Sequence, residues 1–508
     1  MPRLMWIRPP LPRLRKLTQL LVGLGVLFGM AGVAQAQQVV DSTCASTGLQ
    51  PSTMESDGCR ASSLADSLQA ASNAPAAPRR SPAGAYQPIQ PNVIRALGEI
   101  AIINMGAVAI NHFARDIQTA GPETWWQNAR GKGKWIWDGN NISTNNIEHP
   151  WGGAAYFNVA RANGVGFWGA APITMAGSLM WELFGEVTPP SRNDLLITSL
   201  SGINLGEPKH RMSDLVLNNE ARGLNRAWRE AVVLIFNPGL GLTRLSRGQT
   251  WSQEPNAPDA RPDSLRTLVA VGGRRMMLPA RSRQDLVSVA FADLGLQYGD
   301  AFGPDPVKPF SVFTINAELA SGPATTVTLL GTRGMLAALG RPAGPTNRVT
   351  GIFMDFEYQW NEQYQFSQQS FGIGTLAQTA GGGPWRLSTD LSAELSPIVA
   401  SSDPYADKAV SRDYDYGAGV GARAAAEVEY RGMRVLSAGY RGFWTSTING
   451  ASQSKLTQFA VVEARLPLLA GFSAGAMYRL YSQRSTYTNR ATGVESLPSY
   501  SLFISTGQ

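Results

Sequence analysis

The chain reads as an α+β protein: a helical N-terminal domain followed by an antiparallel transmembrane β-barrel of about twelve strands. Three observations predict this. The second half alternates apolar and polar residues with a period of two, the N-terminus carries an export signal, and the turn spacing gives an even number of strands. Ile352, Met354, Phe356, Tyr358 and Trp360 share one face, while Asp355, Glu357, Gln359 and Asn361 take the other. Successive strand side chains point to opposite faces, so one face is continuously apolar and the other charged, as in a membrane barrel that is apolar outward and polar inward.

The export signal comes first along the chain. Arg3, Arg8, Arg13, Arg15 and Lys16 precede an apolar stretch from Leu20 to Val33, and Ala34-Gln35-Ala36 is a small-x-small cleavage site. Residues 1–36 are therefore expected to be a secretory signal peptide. The formal net charge is +7, five of those charges lie in this acid-free segment, and removing them leaves +2. The basicity is mostly a targeting signal and does not argue for nucleic acid. Cys44 and Cys59 follow, the two cysteines of the chain; in an oxidising compartment one local disulfide is the natural expectation. Residues 37–90 are rich in Ala, Ser and Pro, bury too little apolar surface to order themselves, and read as a tether.

Residues 91–250 change character and read as a helical domain, with helices expected near 93–115, 152–162, 167–185, 192–205 and 213–236. Between Arg161 and Glu182 lie twenty uncharged residues, nominally enough to span a bilayer. Gly164, Gly166, Gly169 and Pro172 interrupt them, which favours a buried helix of a compact bundle. Several polar residues punctuate the region. Glu182 and Glu186, spaced i, i+4, are expected on one helix face, where like charges repel unless a cation or shared proton offsets them. With His149 and Asp194 they form a candidate acid/base or metal-holding cluster. The competing reading is a polar network fixing helix packing, for which Arg161, Glu207 and Arg211 are the candidates. Ser191 after Pro189-Pro190 is a natural N-cap, with Asp194 three residues on.

The run His149-Pro150-Trp-Gly-Gly-Ala-Ala-Tyr156-Phe-Asn158-Val-Ala-Arg161 resembles the core of the domain-of-unknown-function family 3943. So do Gly177-Ser178-Leu-Met-Trp181-Glu182, Glu186, Pro190-Ser191-Arg-Asn193-Asp194-Leu195 and Leu205-Gly206-Glu207, and Asn237-Pro238-Gly239-Leu-Gly241-Leu-Thr-Arg244-Leu245 looks like its trailing motif. The resemblance covers roughly 140–250. It implies a bacterial envelope protein and transfers no catalytic residue.

Residues 251–264, with Pro255, Pro258 and Pro262, read as a linker, and 265–508 as the barrel. Strands are expected near 266–278, 284–299, 309–321, 325–340, 348–365, 368–380, 384–400, 412–431, 433–448, 453–469, 472–487 and 497–507. The inward face mixes signs: Asp355, Glu357, Arg386, Asp390, Glu394, Arg423, Glu427, Glu429, Glu463, Arg465 and Arg479. Such a lining suits either interior salt bridges or a narrow pore, whereas a single sign would have indicated ion selectivity.

Familiar chemical motifs fail. Gly164-Val-Gly166-Phe-Trp-Gly169 fits the dinucleotide fingerprint, but no strand precedes it. A Ser178–His149 dyad has no supporting spacing, and no cofactor is expected. The partners expected are outer-membrane lipid and a periplasmic protein, in a Gram-negative envelope. Two functions remain. One is a non-enzymatic channel or assembly component whose helices lie in the periplasm or plug the lumen. The other is an outer-membrane enzyme acting on lipid or lipopolysaccharide through His149 with Glu182, Glu186 or Asp194.

Overall fold

The computed structural model describes residues 88–507, apart from short stretches at 115–119, 132–133, 187, 259, 280–284, 304–306, 341–346, 380–382, 407–411 and 469–470. The expected signal peptide, nearly all of the tether and the Cys44–Cys59 pair lie outside the described residues.

Among the described residues seven α-helices precede the strands: α1 (Val93–Ala114), α2 (Pro122–Ala129), α3 (His149–Ala162), α4 (Phe167–Phe184), α5 (Arg192–Val216), α6 (Gly223–Phe236) and α7 (Pro238–Ser246). Their ends follow capping chemistry. The Asn92 carboxamide accepts from the Arg95 amide at 2.9 Å, Ser191 caps α5 by accepting from the Asp194 amide, and Asn237 caps α7 ahead of Pro238, the preferred first-turn proline. Two differences from expectation have one physical cause. The helix expected to stop at 205 runs on to Val216 through Pro208, and the next begins only at Gly223. A proline normally breaks a helix. Here Glu207 is clamped by Arg161 at 2.8 Å and Arg211 at 3.1 Å, and the Phe157 ring lies over Gly206, where an added Cβ would sit 2.6 Å from it. Tertiary contacts carry the helix across the proline. Helices α2 and α7 had not been expected.

The strands are β1 (Leu265–Met277), β2 (Leu286–Tyr298), β3 (Phe313–Ala320), β4 (Val327–Leu339), β5 (Arg348–Trp360), β6 (Gln365–Gln378), β7 (Trp385–Ser402), β8 (Tyr414–Tyr430), β9 (Met433–Asn449), β10 (Ser454–Pro467), β11 (Phe472–Thr486) and β12 (Gly493–Gly507). Each pairs antiparallel with its sequence neighbours, and β1 pairs with β12, which closes the barrel at twelve strands as expected. The rim where β1 begins is called proximal here, and the rim where it ends distal. The proximal turn between β8 and β9 is Arg431-Gly432, both with positive φ (51° and 80°), the two-residue hairpin geometry that matches strand twist.

Cross-strand partners fix the two faces. Arg333 pairs in register with Asp355, and Thr332 with Phe356. The first pair belongs to a set of ion pairs that meet across the lumen, so the second faces outward. The outward residues of β9 to β12 and β1 are exposed: Trp444, Leu466, Tyr500, Ile504 and Val271, with Leu502 at 72%. On β2 to β5 the outward residues Leu294, Tyr298, Phe313, Leu330 and Met354 are buried, and Phe356 and Tyr358 are each 1% exposed. The helices cover them. Helix α5 crosses the wall from Asn193, near Tyr416 at the distal rim, past Asn204, which bonds Thr332, to Arg211, which donates to the Pro309 carbonyl below β2 and β3. Helix α5 thereby contacts β4 to β7. The bundle thus rests on the outside of the barrel, where the sequence reading had placed it in the lumen or beneath the barrel. The period-two pattern distinguishes outward from inward; it carries no information on whether lipid or protein covers the outward face.

Helices α1 and α4 run from the proximal end towards the distal rim, and α3 and α5 run back. The Asn92 amide bonds the Asn163 carbonyl at one end, and Glu182 receives the Ser191 amide at the other. The exposed faces of α1 (Ile94, Ile102, Met105, Phe113) and α4 (Trp168, Met175, Leu179, Phe184) are also apolar. Helix α1 is the one described helix long and apolar enough to cross a membrane, its 22 residues extending about 33 Å.

Candidate functional site

The distal end of the bundle gathers most of the candidate residues. His149 opens α3, Asp194 sits in the first turn of α5, and Glu186 lies in the turn between α4 and α5. Ligand atoms of these three lie within 4.8 Å of one another, and His149 Nε2 is 3.9 Å from Asp194 Oδ1. Glu182 is fully buried in the last turn of α4. Because α4 stops at Phe184, Glu182 and Glu186 do not share the helix face expected from their spacing; the chain leaves the helix at Gly185 and turns Glu186 towards His149.

Two of the three carboxylates are only partly satisfied. Glu182 Oε2 accepts from the Ser191 amide at 2.7 Å, and its Oε1 has no partner. Asp194 Oδ1 accepts from Asn193 Nδ2 at 2.7 Å, and its Oδ2 has none. Glu186 is held by Trp181 Nε1 at 2.9 Å and by the Thr188 hydroxyl at 3.1 Å. Among the described residues no lysine or arginine forms an ion pair with any of the three. The barrel completes the surroundings. Asn193 Nδ2 also approaches the Tyr416 hydroxyl at 3.3 Å, and Asn145 donates to the Tyr414 and Tyr416 hydroxyls, each at 3.1 Å. Sequence reasoning missed Trp181, Asn145 and Tyr416 as neighbours of the cluster.

The other candidates separate from this cluster. Arg161, Glu207 and Arg211 form their own network at the proximal end, where Glu207 takes both guanidiniums and Arg161 also reaches the Val165 carbonyl at 3.0 Å. The arrangement joins α3 to α5. The Ser178 hydroxyl is buried without a partner, so no hydrogen bond joins it to His149.

The lumen is the second place where chemistry gathers. Every inward charge singled out from the sequence has a partner of opposite sign. Arg333 bonds Asp355 at 2.8 Å and Asp390 at 3.2 Å, Arg423 bonds Asp355 at 3.0 Å and Glu394 at 3.2 Å, and Arg441 bonds Glu357. Glu318 receives Arg274 at 2.5 Å and Arg479 at 2.8 Å, Arg465 meets Glu463, Arg434 meets Glu427, and Arg386 meets Glu429. Above them the β5–β6 turn folds over the distal mouth. Tyr364 stacks on Tyr481 with centroids 3.9 Å apart, and Phe366, Phe459 and Phe443 pack alongside. Gln363 Nε2 reaches the carbonyls of Met277 at 2.7 Å and Pro498 at 3.0 Å on the opposite wall. A cavity of about 360 Å³ remains, bordered by Arg333, Asp355, Glu357, Arg441 and Tyr364.

Residues 134–239 match the family described as "Domain of unknown function (DUF3943)". The match spans α3, α4, α5 and α6 with the turns that build the distal cluster, and it ends before the barrel. The chain matches no curated protein. Among solved structures, the NanC porin is 11% identical with a TM-score of 0.25, over 47% of this chain and 98% of that one. The outer membrane channel DcaP of Acinetobacter baumannii is 8% identical with a TM-score of 0.23, over 48% and 96%. The anion-selective porin from Comamonas acidovorans is 9% identical with a TM-score of 0.22, over 48% and 99%.

Proposed function

We propose that this protein is an outer-membrane barrel with a non-enzymatic envelope role, a scaffold that holds the helical module flat against its own wall in the lipid layer. The observation that carries the reading is the state of the lumen. Its charges are mutually paired, and the β5–β6 turn bridges its distal mouth. A conducting pore needs groups that bind a passing solute weakly and release it; charges already paired with one another offer less to a solute. The exported N-terminus and the exposed apolar wall of β9 to β1 support the outer membrane. The apolar outer faces of α1 and α4 support lipid, with a periplasmic protein as the other candidate partner of the module.

Planar-bilayer recordings of the purified protein test this. The wild type gives no steady single-channel conductance, and Gln363→Ala combined with Tyr364→Ala, which releases the turn from the far wall, raises it. A stable wild-type conductance would replace the scaffold with a narrow channel.

The convergence of His149, Glu186 and Asp194 favours a second reading, an enzyme acting on lipid or lipopolysaccharide at the distal rim. It requires turnover of a lipid substrate by the purified protein that Asp194→Asn removes while the heat-modifiable barrel and the protease resistance of residues 150–216 persist.

A further inference from the structure

We propose that His149, Glu186 and Asp194 form a binding site for one divalent transition-metal ion at the distal end of the helical module, a site that stands independently of the scaffold reading. The donor set is one imidazole and two carboxylates, brought together from α3, α5 and the intervening turn. Metal–ligand bonds of about 2.0–2.2 Å hold neighbouring donor atoms roughly 3–4 Å apart. The His149 Nε2 to Asp194 Oδ1 separation is 3.9 Å, and the three ligand atoms lie within 4.8 Å. Closing them around an ion needs side-chain shifts of about 1 Å or less, well within rotamer freedom.

A second observation concerns the same carboxylates. Asp194 is fully buried and its Oδ2 has no hydrogen-bond partner; Glu182, fully buried just before the turn, leaves Oε1 equally bare. Buried carboxylate oxygens are normally satisfied, and each one left bare costs on the order of 1–3 kcal/mol. An ion bound by the Asp194 carboxylate through Oδ2 as well as Oδ1 would satisfy the bare oxygen and offset charge that no arginine or lysine pairs with among the described residues. The neighbouring bonds suit ligands: Trp181 Nε1 and the Thr188 hydroxyl orient Glu186, and Asn193 orients Asp194, as outer hydrogen bonds do around metal ligands. A mixed nitrogen and oxygen set favours Zn²⁺, Mn²⁺ or Fe²⁺ over Ca²⁺ and Mg²⁺, which prefer oxygen alone. Three protein ligands leave a coordination position for water. His149 and Glu186 are partly exposed, the His149 side chain at 13%, which gives the ion a way in.

The test uses the full mature chain in detergent, stripped with chelator and titrated with Zn²⁺ or Mn²⁺ alone by calorimetry, with bound metal measured after dialysis. The wild type is expected to bind a single ion. His149→Gln and Asp194→Asn lose it or weaken it more than tenfold, and Trp181→Phe weakens it about 10–100-fold. The heat-induced gel shift reports the barrel, and resistance of residues 150–216 to proteolysis reports the helical module, in every variant; if Asp194→Asn fails either, the partly exposed His149→Gln carries the comparison. Equal metal content in wild type and folded His149→Gln, or no binding by the wild type to either ion, overturns the site.

Discussion

Two buried lysines set the terms at the residue scale. Lys455 in the barrel donates to the carbonyls of Ser401 at 3.0 Å and Ser402 at 2.8 Å, and lies 3.2 Å from both Asp403 and Asp415. Its charge is fully answered. Lys209 in α5 is as deeply buried, has no hydrogen-bond partner, and meets only aromatic faces, with Nζ 3.4 Å from the Trp151 ring centroid. A cation–π contact returns about 2 kcal/mol when desolvated, less than the cost of burying an unpaired charge. Lys209→Met is therefore expected to stabilise the protein by about 1–3 kcal/mol in urea-unfolding measurements, while Lys455→Met destabilises it by leaving two acids facing each other. In the lumen, Arg333→Met leaves Asp390 without its cation and Asp355 with Arg423 alone, and is expected to cost about 3 kcal/mol in the same assay. A loss below 1 kcal/mol would mean that water enters the lumen and screens the network.

At the scale of elements, the contact between α3 and α5 depends on two glycines. A Cβ on Gly202 would stand 2.5 Å from the Gly153 carbonyl carbon, and one on Gly153 would collide with the Thr198 carbonyl. Small residues let helix backbones approach closely where no hydrophobic drive separates helix from lipid. Gly202→Val should force α3 and α5 apart while leaving the barrel closed. The expected signature is rapid proteolysis within 150–216 alongside an unchanged heat-modifiable barrel band; loss of both together would show that barrel and bundle fold as one unit. The same pair shows what the sequence could and could not tell. Strand positions were legible to within a few residues, because alternation and turn glycines are local signals. The end of α5 was not, because Pro208 is overruled by Arg161, 47 residues earlier in the chain. The distal cluster was half legible: His149, Glu182, Glu186 and Asp194 stood out as charges in an apolar region. The helix end that turns Glu186 aside, and the tyrosines that β8 brings to the cluster, come from tertiary structure.

At the scale of the whole molecule, two flanks of one barrel differ. Leu502 is 72% exposed and Phe356 is 1% exposed, although both face outward. A charge placed on the bare flank, Leu502→Arg, is expected to cost about 2–4 kcal/mol in refolding into lipid vesicles. At Phe356 the same substitution costs more, because it also disrupts packing against the helices. Equal losses would mean that the helices detach in lipid and both flanks are wetted alike. The cladding has a further consequence for how such molecules share a crowded membrane. A bare barrel can touch neighbours with any part of its circumference. This one offers its strands on a single side, so copies that meet strand wall to strand wall close as a pair, with both helical backs turned to open lipid.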